Sequence, residues 1–201
     1  MSVSKIAVLI AAAALAPAWA ALADMPTATS MPVGAGATQP IGHYDLCIKD
    51  PEECRKLSPP EAARDPSEAE WAAVGEVNSS INARIRQKPD RQMHGVDELW
   101  SYPTVEGDCE DFALLKRREL AEKGWSLSDL LLTTVRKPDG EGHAVLTVRT
   151  ARGDFVLDNL DGRVRPWNEI HYTFVKRQSS TNSGRWVAIE AGKDVPVGSV
   201  R

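Results

Sequence analysis

The chain has 201 residues, of which 42% are hydrophobic, 26% charged and only 6% aromatic. This composition fits one soluble domain and excludes collagen-like, coiled-coil and long disordered chains. With 24 basic and 28 acidic side chains, the formal net charge is −4. A chain with this balance has no broad cationic surface, so the composition argues against a nucleic-acid partner.

The N-terminus has the pattern of a secretory signal peptide. An apolar run over residues 6–16 follows Lys5, and small-residue cleavage sites occur at residues 18–20 and 21–23. The run is shorter than the roughly 20 residues of a membrane-spanning helix, so we assign residues 1–23 to a cleaved signal rather than to an anchor. We therefore expect a periplasmic or secreted protein, in a compartment where disulfides persist.

The segment after the signal contains few large apolar side chains. Residues 24–42 consist mainly of Pro, Ala, Thr and Gly, which predicts a flexible leader. Cys47 and Cys54 follow, seven positions apart around a predicted turn at residues 49–51. This spacing favours a disulfide, because a metal pair would normally have a Cys-x-x-Cys spacing and only His43 lies nearby as a further ligand.

Two helices are predicted in the middle of the chain. Ser67 and Glu70 form a capping-box pattern, and apolar residues then recur every three or four positions up to Ile85. We interpret the apolar face of this helix as part of the core, with no chemical role. A loop-rich stretch over residues 89–107 leads to a second helix, which begins after Asp108 and ends at Gly124.

Cys109 lies in the first turn of this second helix. The unpaired N–H groups at a helix N-terminus stabilise a thiolate and so lower the pKa of a cysteine there. Asp108, Glu110 and Asp111 flank the cysteine, and their carboxylates would raise that pKa. The pattern therefore requires either a bound cation or carboxylates that point away from the sulfur.

β-Branched and alternating segments after residue 129 predict five strands. The first three form an antiparallel meander, and the last two are joined by a polar loop over residues 178–184. Because the helices precede the strands, the order of elements predicts an α+β fold. The predicted strands are residues 130–135, 143–149, 154–160, 172–176 and 185–189.

His143 and Asp158 are candidates for a base and its carboxylate partner. If residues 150–153 form a four-residue loop, Val145 lies opposite Asp158 and His143 lies diagonal to it on the same face. Diagonal neighbours are about 7–8 Å apart, so a bent strand would let the side chains meet, whereas a two-residue loop is expected to separate them further. His171 is the rival base, but the pattern gives it no comparable acidic partner.

Each of these residues has a simpler structural explanation when it is considered alone. Cys109 could be an inert buried thiol, His143 a surface residue at a strand end, and Asp158 a turn residue. Together, however, they place a thiol at a helix start and an imidazole and a carboxylate at neighbouring strand ends. The conjunction, with an odd cysteine left over, favours nucleophilic catalysis.

Three motifs carry a resemblance to a known family: Gly-Asp-Cys-Glu-Asp-Phe-Ala at 107–113, Gly-His-Ala-Val-Leu at 142–146 and Leu-Asp-Asn-Leu at 157–160. From about residue 71 to 189 the chain resembles the bacterial transglutaminase-like cysteine peptidases, which include periplasmic proteases of biofilm adhesins. The resemblance implies a papain-like core whose nucleophile helix packs against an antiparallel sheet. We expect this domain to span residues 43–192, before a C-terminal tail at residues 193–201.

The resemblance also implies roles for individual residues. Cys109 would be the nucleophile, His143 the base and Asp158 the acid that orients it. Calcium would be bound by Asp108 and Glu110, with Asp111 as a further candidate ligand. The alternative is that these acids only favour the start of a helix, which is common.

The function implied is that of an exported cysteine endopeptidase with a thioester acyl-enzyme intermediate. Its expected partners are a protein substrate in the cell envelope and a membrane receptor that senses a cyclic dinucleotide. Amine acyl transfer is an alternative, because it uses the same intermediate. A calcium-dependent binding module without catalysis is a second alternative. The short chain and its Cys47–Cys54 pair depart from the better-known members, so adhesin specificity does not follow automatically.

Overall fold

The computed structural model of the protein describes residues 25–58 and 62–190. The predicted signal peptide (residues 1–23) and the predicted C-terminal tail (residues 193–201) lie outside these residues. Within the described ranges, no helix combines the length and the apolar character needed to cross a membrane.

A seven-stranded antiparallel sheet forms the centre of the described structure. Its spatial order is β1-β9-β8-β4-β5-β6-β7, and a separate parallel pair is formed by β2 and β3. The strands are β1 (Val33–Ala37), β2 (Arg86–Gln87), β3 (Glu106–Gly107), β4 (Leu130–Arg136), β5 (Gly142–Thr150), β6 (Gly153–Leu157), β7 (Arg165–Pro166), β8 (Thr173–Ser179) and β9 (Asn182–Ile189).

Within the described residues, four α-helices precede the main run of strands, which confirms the predicted α+β class. They are α1 (Ile41–Lys49), α2 (Glu68–Arg84), α3 (Asp90–Met93) and α4 (Cys109–Glu122). Short 3₁₀ turns lie at Pro51–Cys54, Leu127–Asp129 and Trp167–Glu169.

The helix signals in the sequence correspond closely to α2 and α4. Ser67 Oγ accepts a hydrogen bond from the N–H of Glu70, while the Glu70 carboxylate accepts one from the N–H of Ser67, so the capping box is formed. Gly124 has φ of 87°, a conformation that suits glycine after the end of α4. Asp108 occupies the N-cap position of α4, but its side chain makes no capping bond.

The sheet separates two apolar layers. On one face, α2 and α4 bury the larger cluster, which contains Val74, Leu114 and Leu146. On the other face lies a smaller cluster that includes Val145 and Val156. Side chains alternate between the faces along each strand, so the same strands serve both layers.

The prediction of a flexible leader over residues 24–42 is wrong for residues 25–42, which the structure describes. Residues 33–37 form β1, which pairs with β9 at the sheet edge. Met31 is buried, and its N–H donates to Asp154 Oδ2 at 2.8 Å. This segment is ordered because an existing sheet supplies the hydrogen bonds and apolar contacts that its own composition lacks.

The pairing of β5 with β6 has the predicted register. Arg149 lies opposite Asp154, and Leu146 lies opposite Leu157, so the same register brings Val145 opposite Asp158. Pairing continues to Thr150 and Gly153, which reduces the loop to two residues. The expectation that a two-residue loop would separate His143 from Asp158 is wrong. The added pair, Thr150 with Gly153, shortens the loop by one residue on each strand and leaves the pairing of all other residues unchanged.

Candidate active site

A cavity of about 400 Å³ lies where the start of α4 meets strands β4 and β5. Its walls combine a thiol, an imidazole, carboxylates and cationic side chains. The principal lining residues are Glu98, Trp100, Cys109, Glu110, Arg136, His143, Ala144 and Lys176. The structure therefore brings Cys109 and His143, which are distant in sequence, to one cavity.

Cys109 is the first residue of α4, and its thiol is only partly exposed. The S–H group donates to Glu110 Oε2 at 3.1 Å, and the backbone N–H of Ala144 is close enough to the sulfur to favour the thiolate. Burial raises the pKa of the thiol, and the Glu110 carboxylate raises it further, against the opposing effect of the Ala144 N–H. Ala144 belongs to β5 directly after His143, so this contact ties the cysteine to the histidine strand.

His143 and Asp158 form a buried pair. His143 Nε2 lies 2.8 Å from Asp158 Oδ1, and both residues are at least 90% shielded from solvent. The Asp158 carboxylate also accepts hydrogen bonds from the N–H of Leu160 at 3.0 Å and the hydroxyl of Tyr172 at 2.9 Å. Burial tends to raise the pKa of Asp158, but the hydrogen bonds, led by that from His143, lower it on balance.

Helix α2 holds the segment that carries Asp158. Asn82 Nδ2 donates to the backbone carbonyl of Asp158 at 2.8 Å, and Asn78 Nδ2 donates to that of Asp161 at 3.0 Å. Sequence reasoning gave α2 no role beyond the core. The two asparagines, four positions apart on one helix face, were the signal of this contact, although nothing in the sequence identified the partner.

An acidic cluster lies beside Cys109. Carboxylate oxygens of Asp90, Asp108 and Glu110 lie within 4.8 Å of one another. Burial raises the pKa of Asp108 and of Glu110, and repulsion from neighbouring carboxylates raises both further. Asp90 was missed by sequence reasoning, because it comes from α3, 18 positions before Asp108, and no local spacing connects the two.

Asp111 lies outside this group of three. Its Oδ1 accepts the N–H of Ser101 at 2.8 Å, and burial raises the pKa of the carboxyl group to about 7. Among the described residues, Asp111 Oδ2 has no hydrogen-bond partner. The structure therefore places Asp108 and Glu110 together as expected and adds Asp90. The assignment of all three predicted residues as metal ligands stays a prediction.

Cys47 and Cys54 are joined in a disulfide, with their Cα atoms 5.4 Å apart, and Cys109 is a free thiol. His43 lies close to both sulfurs. Because these sulfurs are bonded to each other, they are not thiolate ligands, so the structure favours the disulfide over the metal pair. Burial lowers the pKa of His43 to about 4, which identifies it as a neutral core histidine.

The rival base, His171, is exposed and lines a different cavity of about 220 Å³. Asp158 and Tyr172 also line that cavity, but the carboxylate of Asp158 is hydrogen-bonded to His143. The structure thus supports the pairing that was expected from the strand register.

An α+β fold with a cysteine at a helix start and a histidine–aspartate pair on an antiparallel sheet is the arrangement that the resemblance in the sequence implies. The family model described as bacterial transglutaminase-like cysteine proteinase, BTLCP, matches residues 33–194. The chain belongs to this family and is a cysteine peptidase, which confirms the resemblance found in its sequence.

Solved structures of LapG from Legionella pneumophila share the fold. One is 23% identical, with a TM-score of 0.51, and the match covers 62% of this chain and 71% of that chain. An EGTA-treated LapG gives 23% identity, a TM-score of 0.51 and coverage of 62% and 69%. A calcium-bound LapG is 21% identical, with a TM-score of 0.50, and the match covers 66% of this chain and 77% of that chain. A search of curated proteins found no match.

Proposed function

We propose that this protein is an exported endopeptidase in which Cys109, His143 and Asp158 form the catalytic triad. The observation that carries the proposal is the 2.8 Å hydrogen bond between His143 Nε2 and Asp158 Oδ1, formed where His143 and Cys109 line one cavity. A buried carboxylate in this position fixes the tautomer of the histidine and stabilises its protonated form.

The hydrogen bond supports an assignment of the two ring nitrogens of His143. Nε2 carries the proton that Asp158 accepts, so Nδ1 is the nitrogen that takes the proton of the Cys109 thiol. The thiolate attacks the carbonyl carbon of a peptide bond, and the protonated His143 transfers its proton to the leaving amine. This step leaves a thioester on Cys109 and releases the C-terminal product.

Water completes the reaction. His143 Nδ1 accepts a proton from a water molecule, whose oxygen attacks the thioester carbonyl. The C–S bond breaks, and the thiolate leaves or is reprotonated by His143, so that the N-terminal product ends in a new carboxylate. The net reaction consumes one water molecule and one peptide bond.

Calcium is included in the proposal, with Asp90, Asp108 and Glu110 as its ligands. The residues fit a hard cation, because they supply only oxygen ligands. In the described part of the chain, Asp90 Oδ1 and Asp108 Oδ1 are buried without hydrogen-bond partners, which a cation would satisfy. When bound, the cation would neutralise the negative charge beside Cys109. The calcium-bound LapG neighbour supports this choice of metal.

The location and substrate are proposed from the sequence. The signal-peptide pattern in residues 1–23 supports export, and the family resemblance supports a cell-envelope protein, of the adhesin type, as the substrate. The same resemblance supports control by a membrane receptor.

The test compares the envelope proteome of cells carrying the wild type with that of cells carrying Cys109→Ala. We expect a protein whose new N-terminus appears only with the wild type. His143→Ala should also abolish this cleavage, whereas His171→Ala, a matched histidine outside the cavity, should preserve it. Cleavage in H₂¹⁸O should place ¹⁸O in the new carboxylate, which amine transfer would not do.

Wild-type cleavage by Cys109→Ala would overturn the peptidase assignment of this residue and favour the binding module. An electrophile such as iodoacetamide gives a second measurement. It should alkylate Cys109 far more slowly in His143→Ala than in the wild type, because the imidazole stabilises the thiolate. Equal alkylation rates would contradict the proposed pairing of thiol and imidazole.

A further inference from the structure

Tyr172 contacts both members of the histidine–aspartate pair, although it was predicted only as a strand residue. It lies directly before β8 and is partly buried. Its hydroxyl donates to Asp158 Oδ2 at 2.9 Å. Its ring meets the imidazole of His143 edge to face, with the ring centroids 5.8 Å apart and the planes at 84°.

The hydrogen bonds of Asp158 show what the hydroxyl adds. Oδ1 accepts from His143 Nε2 and from the N–H of Leu160, and Tyr172 is the donor to Oδ2 among the described residues. The final torsion of an aspartate side chain is soft, so bonds to one oxygen alone hold the carboxylate plane weakly. A donor on the second oxygen fixes that plane and, with it, the direction in which Oδ1 faces His143.

The position of Asp158 gives the ring a second effect. Asp158 and Tyr172 both line the 220 Å³ cavity, and Cys109 is not among the residues that line it. Water in that cavity would compete for the carboxylate oxygens, and an exposed hydrogen bond is weaker than a shielded one. The Tyr172 hydroxyl occupies Oδ2 and its ring lies against the imidazole, so Tyr172 shields the hydrogen bond between His143 and Asp158 from this water.

We propose that Tyr172 is a positioning residue of the peptidase, which fixes the rotation of Asp158 and thereby the orientation of His143. The inference rests on the proposed triad and extends it by one residue. Tyr172 acts through Asp158 and does not contact the reacting atoms.

The charges around Tyr172 favour its role as a hydrogen-bond donor. Burial raises the pKa of its hydroxyl, and the negative charge of Asp158 raises it further, with smaller contributions from Asp161 and Asp139. The hydroxyl therefore stays protonated at any pH at which the enzyme would work.

The experiment compares Tyr172→Phe with Tyr102→Phe. Tyr102 is a matched control, because its hydroxyl also donates to a carboxylate, Glu53 Oε1 at 2.5 Å, away from the triad. The substrate is the envelope protein whose cleavage is lost in Cys109→Ala. We expect kcat/KM to fall roughly tenfold in Tyr172→Phe and less than twofold in Tyr102→Phe. Thermal melts should show both variants folded.

Two measurements separate positioning from a general structural role. In an Asp158→Ala background, Tyr172→Phe should cause no further loss, because the tyrosine acts through that carboxylate. In the NMR spectrum, the Nε2–H signal of His143 should broaden by exchange with water in Tyr172→Phe and stay sharp in Tyr102→Phe.

The proposal is overturned if Tyr172→Phe cleaves within twofold of the wild type, or if it loses the same factor with and without Asp158. Failure of the triad itself gives a different result, since His143→Ala and Asp158→Ala would then keep wild-type activity.

Discussion

On the histidine side of the candidate site, Asp158 receives three hydrogen bonds, from His143, Leu160 and Tyr172. On the cysteine side, Asp90 and Asp108 each keep a buried carboxylate oxygen that has no hydrogen-bond partner among the described residues. Both sides are acidic and largely buried, so the difference does not come from composition. The difference comes from the hydrogen-bond donors, which the fold places beside both oxygens of Asp158 but beside only some oxygens of Asp90 and Asp108.

The comparison indicates different tasks for the two sides. Around Asp158, hydrogen bonds outweigh burial and keep the pKa of the carboxyl group low, so the protein alone prepares a charged partner for His143. Around Cys109, burial and mutual repulsion raise the pKa values of Asp108 and Glu110. The histidine side is therefore preorganised by hydrogen bonds, whereas on the cysteine side the proposed calcium ion would supply the missing partners.

The largest expected effect comes from breaking the preorganised side. Cys109→Ala and His143→Ala should each lower kcat/KM by at least about 10³-fold, and Asp158→Ala should be milder, because Asp158 only orients the base. The double variant Cys109→Ala, His143→Ala should be nearly as inactive as either single variant, since the residues act as one unit. Losses that multiply in the double variant would show independent roles.

The cysteine side should respond to calcium rather than to hydrogen-bond changes. In a thermal melt, calcium should raise the Tm of the wild type, by an amount that corresponds to about 2.7 kcal/mol at a concentration of 100 Kd. Asp108→Asn should lose this shift, and without calcium it should melt above the chelated wild type, because one repelling charge is gone.

Asp97→Asn provides the matched control for this experiment. Asp97 is an exposed acid that pairs with Arg91 and lies outside the cluster, so its variant should keep the full calcium shift. A wild-type Tm that is unchanged by chelation and by added calcium would leave Asp108 and Glu110 as helix-start residues only.

The same contrast explains what the sequence could predict. The capping box of α2, the stop of α4 at Gly124 and the β5–β6 register depend on neighbours in sequence or on one tight turn, and all three are confirmed. Strand-end residues His143 and Asp158 could be paired by counting along that register.

Other features depend on contacts between distant segments, and sequence reasoning missed them. Asp90 reaches the cluster from another helix, and Tyr172 reaches Asp158 from across the sheet. Strand β1 is ordered by β9, which comes about 150 positions later in the chain. Asp108 was correctly placed at the N-cap position, but its carboxylate accepts the N–H of Asp90 in place of a helix N–H.

Lys116 offers a smaller test, which concerns stability. It is fully buried on α4, its Nζ has no hydrogen-bond partner among the described residues, and burial lowers its pKa to about 7. Between pH 7 and about 10.5 the unfolded chain binds a proton at this lysine that the folded protein does not. Stability therefore rises with pH across this window, and the cost of burying the charge is greatest below pH 7.

Lys116→Met should remove this dependence. We expect the variant to be about 2–3 kcal/mol more stable than the wild type at pH 6, with the difference shrinking towards zero near pH 10. Urea denaturation at several pH values measures it. Lys123→Met, at an exposed position after the same helix, should show no such trend. A stability difference that stays constant with pH would mean that Lys116 is not buried as a charge.

The smallest effect on catalysis is expected from the Cys47–Cys54 disulfide, which lies outside both sides of the cavity. Removing it with Cys47→Ser and Cys54→Ser reopens a short loop, which should cost about 2 kcal/mol of unfolding free energy. kcat/KM should change little, because Cys109 remains a free thiol at α4 in either case. Mass spectrometry of non-reduced peptides from the wild type should find Cys47 joined to Cys54 and Cys109 unmodified. If Cys109 is instead found in a disulfide in the resting protein, its assignment as the nucleophile fails, whatever the stability of the double variant.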